Sequence, residues 1–392
     1  MKRENGFSLI ELMVAIAITV TIVGGAMTAL YQAQKSTQIV ASQANTQDNL
    51  RAGMHFIVRD LTQAGEGIPQ GGLSIPNNGV VSDINRPGTA ITFPTNYVAL
   101  PPIVPGSQIG QLATSVNPAT NLVLTGIATD VINVMYADNT LTDGTAANNM
   151  TNTYPVFQAN PPGPACNGVI STTGAFVTLD PNCFTMPGAA QPISVGNLIM
   201  FHNANGTALE YVTSVNGQTI NFAGGDPAGL NQTGKASGTV ANLQNAGGGF
   251  PPTTVTRIWM VSYYIDAATN PSKPQLIRQV NYPNYPAGNG AANPPTAVAD
   301  VIENLGFSYN ITASVDPAGT YPLGAGNAPT PILPDTPTQI RAVNVFLAGR
   351  SEYTYSYGAT PQYLRNNLTT QVCPRSLSFT NLFQTTASQT AP

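Results

Sequence analysis

Reactive side chains are scarce in this chain, so the chemistry it can support is quickly bounded. Imidazole is offered only by His55 and His202, and thiols only by Cys166, Cys183 and Cys373, with no C-x-x-C pair among them. A zinc site needs several such ligands at close spacing, and these positions do not supply it. A nucleophilic triad is equally poorly provided: His55 falls in a helical stretch, His202 in a strand or turn, and neither G-x-S-x-G nor H-E-x-x-H occurs. Gly229, Gly234 and Lys235 fit G-x-x-x-x-G-K, but Ala236 stands where the magnesium-binding hydroxyl belongs. With no strand before it and no helix after it, that stretch reads as a loop. Asp138, Asp143, Asp226 and Asp266 lie in or near loops without the dense spacing of a calcium loop, and read as solvated turn residues. We expect no metal, no cofactor and no enzymatic activity.

One carboxylate stands apart. Glu11, in "GFSLIELMVA", sits near the start of an otherwise uncharged apolar run from Phe7 to Leu30. A charged side chain inside a bilayer costs roughly 2.5–3.5 kcal/mol even on lenient insertion scales, so a residue kept there needs a partner.

The elements that must position these residues follow from composition and pattern. Residues 1–6 are a short polar leader carrying Lys2 and Arg3, and 7–30 are long enough to span a membrane at about 20 residues. The basic leader keeps the N-terminus cytoplasmic and sends the remainder outward. Helical periodicity continues through 31–66, where Leu50, Met54, Ile57, Val58 and Leu61 fall on one face. Gly65, Gly67 and Pro69 end it. A single helix over this length would measure about 85–90 Å, with Gly24 and Gly25 a weak point for bending.

Residues 67–392 read as strands and loops. Charged residues are 8% of the chain against a globular norm of about 25%, and Gly 37 and Pro 33 mark a turn-rich, β-rich ectodomain. The 14 Lys and Arg are scattered singly and the formal net charge is −4, which excludes a nucleic-acid surface. "TDVINVMYAD" and "QIRAVNVFLAGR" are strands; "VTRIWMVSYYID" and "PQLIRQVNY" form an antiparallel pair; Asn216-Gly217 marks a hairpin. The loop-dense block at about 139–252 reads as a subdomain inserted into the sheet. If the compartment is oxidising, Cys166 and Cys183, flanking Pro181 and Asn182, are the expected disulfide, with Cys373 left over. Trp259 is expected in the core.

The start of the chain resembles the N-terminal segment of type IV prepilins and type II secretion pseudopilins. "GFSLIELMVA" follows a short basic leader at the very beginning, and Glu4 makes that leader slightly less basic than is usual. The resemblance implies cleavage by a prepilin peptidase between Gly6 and Phe7 and N-methylation of Phe7. The new α-amine has an ordinary pKa of about 7.7–8.0, so it is largely protonated near neutral pH. Glu11 of a neighbouring subunit would supply its counter-charge in an apolar filament core. "MHFIVRDLTQAGEG", "QLIRQVN", "ADVIENLGFSYNI" and "IRAVNVFLAGR" occur in an order similar to the PilW-like minor pilins, relatives of the pseudopilin GspJ.

That resemblance implies an α+β fold, with the long N-terminal α-helix on a large antiparallel β-sheet domain of pilin type. It also implies a minor pilin that initiates or caps a type IV pilus, working with other minor pilins and the major pilin. The protein would sit in the inner membrane with its C-terminus outside the cytoplasm, then move to the filament. The alternatives are a pilus-tip adhesin and a type II secretion minor pseudopilin.

Overall fold

The computed structural model describes residues 8–69, 71–76, 84–88, 92–93, 98–111, 128–138, 153–156, 168–179, 193–232, 237–282, 294–311, 337–357 and 360–378. The helix α1 (Leu9–Gln63) runs unbroken for 55 residues, about 80 Å, through Gly24 and Gly25. Ser8 caps it in an extended conformation. Its two halves differ as the sequence demands. From Leu9 to Leu30 the large apolar side chains are exposed all round, whereas from Thr46 onward one face is buried through Leu50, Gly53, Met54, Ile57, Asp60 and Leu61. The helix stops because Gly65 takes φ +80°, a conformation that L side chains avoid, and its N–H leaves the helix to bond Met135 O at 2.9 Å.

Every strand pairing among the described residues of the ectodomain is antiparallel. β1 (Leu73–Ser74) pairs with β2 (Ala99–Leu100). The large sheet contains β3 (Ile103–Val104), β4 (Ile132–Ala137), β5 (Thr153–Val156), β8 (Leu198–Asn203), β9 (Gly206–Tyr211), β12 (Thr253–Asp266), β13 (Gln275–Val280) and β14 (Thr296–Asp300). Between these in the chain lie β6 (Gly168–Ile170), β7 (Phe176–Leu179), β10 (Ser214–Asn216) and β11 (Thr219–Asn221), which form a separate four-stranded sheet. The block 139–252 thus feeds both sheets. Last come β15 (Ile302–Ile311), β16 (Ile340–Tyr357) and β17 (Thr360–Val372) in a three-stranded sheet, then the short helix α2 (Arg375–Ser378).

The centre of the large sheet is β12, 14 residues long. Along one edge it pairs with β5 and then β4; along the other with β8 and then β13. Both faces of this sheet are covered, which explains why β4 and β12 are apolar in almost continuous runs. Ile132, Val134, Val261, Tyr263 and Ile265 face α1 and the three-stranded sheet in one core; Met135, Ile258 and Met260 face Leu73, Phe93, Leu209 and Tyr211 in another. A third core lies under the four-stranded sheet, around Val177, Phe201, Ile220 and Phe222. The Asn216-Gly217 turn is the β10–β11 hairpin, with Gly217 at φ +60°. The architecture is α+β, a long N-terminal helix packed on a large antiparallel sheet domain.

The helix seats where glycine lets it approach. A Cβ on Gly53 would lie 2.9 Å from Leu276, 3.1 Å from Ala299 and 3.3 Å from Leu347. Three different strands therefore close on Gly53, the glycine in the packed half of α1.

Candidate functional site

Two regions of α1 carry polar chemistry. The first is its N-terminus. Ser8 Oγ accepts from Ile10 N at 3.4 Å, and Glu11 Oε2 accepts from Ser8 N at 3.0 Å, a reciprocal capping box that satisfies otherwise unpaired donors of the first turn. The box uses one carboxylate oxygen of Glu11, and the side chain is exposed. Downstream, each threonine hydroxyl in the apolar half bonds back to the helix: Thr19 to Ala15 O at 2.7 Å, Thr21 to Ile18 O at 2.8 Å and Thr28 to Gly24 O at 2.9 Å. Such back-bonding is what a polar group requires in a medium without water. The helix is long and apolar enough to cross a membrane, and its most apolar window is bare of protein contacts.

The second region is the junction with the ectodomain, and it centres on Asp60. This carboxylate is fully buried. Its Oδ2 accepts from Tyr263 Oη at 2.5 Å and from Arg278 Nε at 2.6 Å; its Oδ1 accepts from Arg278 Nη2 at 3.3 Å, Arg59 Nε at 3.3 Å and Tyr136 Oη at 3.4 Å. Tyr136, Tyr263 and Arg278 stand on β4, β12 and β13, three adjacent strands, so one helical side chain fastens α1 across the middle of the large sheet. The electrostatics agree with the geometry. Burial and the Asp60 charge push the Tyr136 hydroxyl up to about 12 and raise Tyr263 further. Burial opposes the charge on Arg278, but the hydrogen bond and charge of Asp60 outweigh it and hold the guanidinium protonated.

The sequence-predicted residues are distributed as follows. Gly6, Phe7, Asp143, Cys166, Cys183, Gly234, Lys235 and Ala236 lie outside the described residues. Glu11 is exposed in the first turn of α1, and Cys373 is an exposed free thiol between β17 and α2. His55 and His202 are exposed on α1 and β8, far from one another in the sequence and in different elements. Trp259 is partly buried against the core, with the Arg257 guanidinium 5.0 Å from its ring. Two carboxylates read as solvated are not. Asp138 is buried and takes Arg257 Nε at 2.6 Å; Asp226 is buried and collects the N–H groups of Ala228, Leu230 and Asn231 at 3.0–3.1 Å. Asp266 does serve as a turn cap. Some burial acts against its charge, but the Thr269 and Ala268 bonds prevail and hold it below the usual carboxylate range.

Asp60 was not among the residues expected to matter, although a signal existed. It lies three residues after Ile57 and four before Ala64, inside the apolar stripe, where an ionised side chain needs a buried partner. A second cluster, also unforeseen, joins Glu303 to Arg350 at 2.9 Å and to Arg365 at 2.8 Å, with Arg350 stacked 3.9 Å from the Tyr363 ring. It ties the three strands of the C-terminal sheet together. Among the described residues no group of three or more His, Cys, Asp and Glu could hold a metal ion.

Residues 1–27 match the family model described as the prokaryotic N-terminal methylation motif. Searches of curated proteins and of solved structures returned no match. The matched segment ends inside the exposed apolar half of α1, and it supports a type IV prepilin-like protein carrying a helix suited to inner-membrane anchoring.

Proposed function

We propose that this protein is a non-enzymatic minor pilin of the PilW-like type, cut between Gly6 and Phe7, methylated on Phe7, and built into a filament that it initiates or caps. The observation that carries the reading is the state of Glu11. It sits on a helix end bare of protein contacts, with one oxygen held by its own capping box and the other open to a neighbour. A protonated α-amine on Phe7 of an adjacent subunit is the partner that removes the cost of keeping this charge in an apolar surround. The bulk of the ectodomain favours a terminal position over repetitive packing along a shaft. Before assembly the protein stays in the inner membrane with its ectodomain outside the cytoplasm; its partners are the prepilin peptidase, other minor pilins and the major pilin.

Glu11→Gln tests this reading, because the amide oxygen keeps the capping bond while the charge is lost. Cells carrying Glu11→Gln should process the protein normally yet show few surface filaments, with major pilin retained in the membrane. Wild-type filament numbers in that strain would overturn the charge pairing. Wild-type numbers in a strain lacking the whole gene would overturn the assembly role.

A further inference from the structure

The outer face of the C-terminal sheet gathers uncharged polar side chains around one aromatic ring. Along β15, β16 and β17 the alternation sends Leu305, Phe307, Tyr309, Val343, Val345 and Leu347 into the core beneath α1. The opposite face carries three adjacent cross-strand rows, Asn304–Ala348–Asn367, Gly306–Phe346–Thr369 and Ser308–Asn344–Gln371, flanked by the Asn310–Ala342 and Arg350–Arg365 pairs. No ionisable side chain occurs in these rows. Phe346 is the one aromatic residue among them, and it is only partly buried. Opposite it stands Gly306, so the flank of the ring is open: a Cβ built there would meet Phe346 only at 3.8 Å and Asp130 Oδ2 at 4.0 Å.

A shallow cavity of about 640 Å³ opens over this spot, lined by Asp130, Ser308, Asn344, Phe346, Thr369 and Gln371 among others. Its volume lies within the roughly 300–1,000 Å³ usual for small-molecule sites. The polar groups in it are held in place. Asn344 Nδ2 donates to Ser308 Oγ at 3.1 Å and Asn310 Oδ1 at 3.3 Å, which leaves the amide carbonyl as an acceptor. Asp130 Oδ1 accepts from Gln108 N and its Oδ2 from Phe307 N, both at 2.8 Å, so the carboxylate is fixed and retains acceptor capacity.

We propose that this face is a binding site for a neutral saccharide, with the Phe346 ring beneath the C–H face of one sugar unit and Asp130, Asn344, Thr369 and Gln371 bonding its hydroxyls. The lining selects that chemistry. It holds no Lys or Arg, so a phosphate, a nucleic acid or an anionic glycan finds no counter-charge. It has too little apolar surface for a lipid or an amphipathic helix. Short polar side chains and one fixed carboxylate around a single aromatic ring suit a ligand that is apolar on one face and hydroxylated at its rim. α1 packs on the opposite side of the same sheet, so the helix of this chain does not cover the site. The proposal stands apart from the assembly reading, since it concerns a face that the helix does not use.

Saturation-transfer NMR on the full chain in a zwitterionic detergent, free of sugar headgroups, tests it with maltotriose, cellotriose and chitotriose as probes. At least one trisaccharide should show transfer. Phe346→Ala should weaken that binding about tenfold, the scale of one lost aromatic contact, and Phe346→Tyr should retain it. Gly306→Val, whose side chain fills the open flank and suits a strand, should abolish binding without unfolding the sheet. Absence of transfer for all three probes overturns the proposal, as does binding unchanged in Gly306→Val. Loss of filaments in Gly306→Val with no transfer to the wild-type chain would make the face a contact between subunits and would equally overturn it.

Discussion

Replacing Asp60 with alanine removes the one side chain that joins α1 to β4, β12 and β13 together. The substitution deletes only a few heavy atoms, but it strands a guanidinium and two phenol hydroxyls in the junction. Removing one partner of a buried ion pair typically costs about 3–5 kcal/mol, because the remaining charge is desolvated and uncompensated. At ~2–3 °C per kcal/mol for a domain of this size, calorimetry of the full chain in detergent should show Tm falling by roughly 6–15 °C. The control is the double variant Asp60→Leu with Arg278→Met, which removes both charges and keeps apolar volume. It should recover most of the loss, since replacing a whole buried pair with well-packed apolar side chains is often close to neutral. A fall of less than about 2 °C for Asp60→Ala, or a double variant no more stable than the sum of its singles, would refute the picture of Asp60 as a buried fastening.

Further outcomes follow from other positions. Gly53→Leu should destabilise by about 1–3 kcal/mol in the same calorimetric assay, because its side chain must enter space already closed by Leu276, Ala299 and Leu347. Glu210 is buried beside Asp226 with one N–H donor, Val240 N at 3.3 Å, and burial pushes its carboxyl well above the ordinary range. The folded state therefore binds a proton more tightly than the unfolded chain, and this group costs stability as pH rises through its raised pKa. Glu210→Gln should thus raise Tm at neutral pH, with the gain vanishing as pH falls to the ordinary carboxylate pKa. A gain that grew on acidification would refute the sign. Cys373 should react with maleimide in the native protein. If Cys166 and Cys183 are joined, as we propose, denatured chain should present one thiol without reductant and three with it, as counted by mass spectrometry.

Local signals made much of this molecule legible. The exposed half of α1 is visible as an uninterrupted apolar run, and its buried half as the recurrence of Leu50, Met54, Ile57 and Leu61. The β10–β11 hairpin announces itself through two turn residues. What escaped is non-local. Asp138 resembles any loop carboxylate until Arg257, 119 residues away, is brought against it. β17 carries Asn, Thr and Gln along most of its length and has little apolar alternation, so its conformation is imposed by pairing with β16. β16 continues seven residues beyond the alternating run that marks it, through a register shift after Arg350 that only the partner strand reveals. Asp60 was legible in principle. A charge in an apolar stripe has a position in the sequence, but its partners on three strands do not.

The arrangement of β12 sets a timetable for folding. β4, β5 and β8 leave the ribosome first, and although β3 can already pair with β4 and β9 with β8, the edge that each turns to β12 stays unfilled until residues 253–266 have been made. Until then β4 holds two apolar faces and an open edge toward β12. Pairing over such separations is slow and leaves the waiting strands open to the wrong partner. Truncations that end before Thr253 should therefore yield an aggregating chain rather than a smaller domain. The N-terminal half of this ectodomain is, in effect, a set of strands held on account until its keystone arrives.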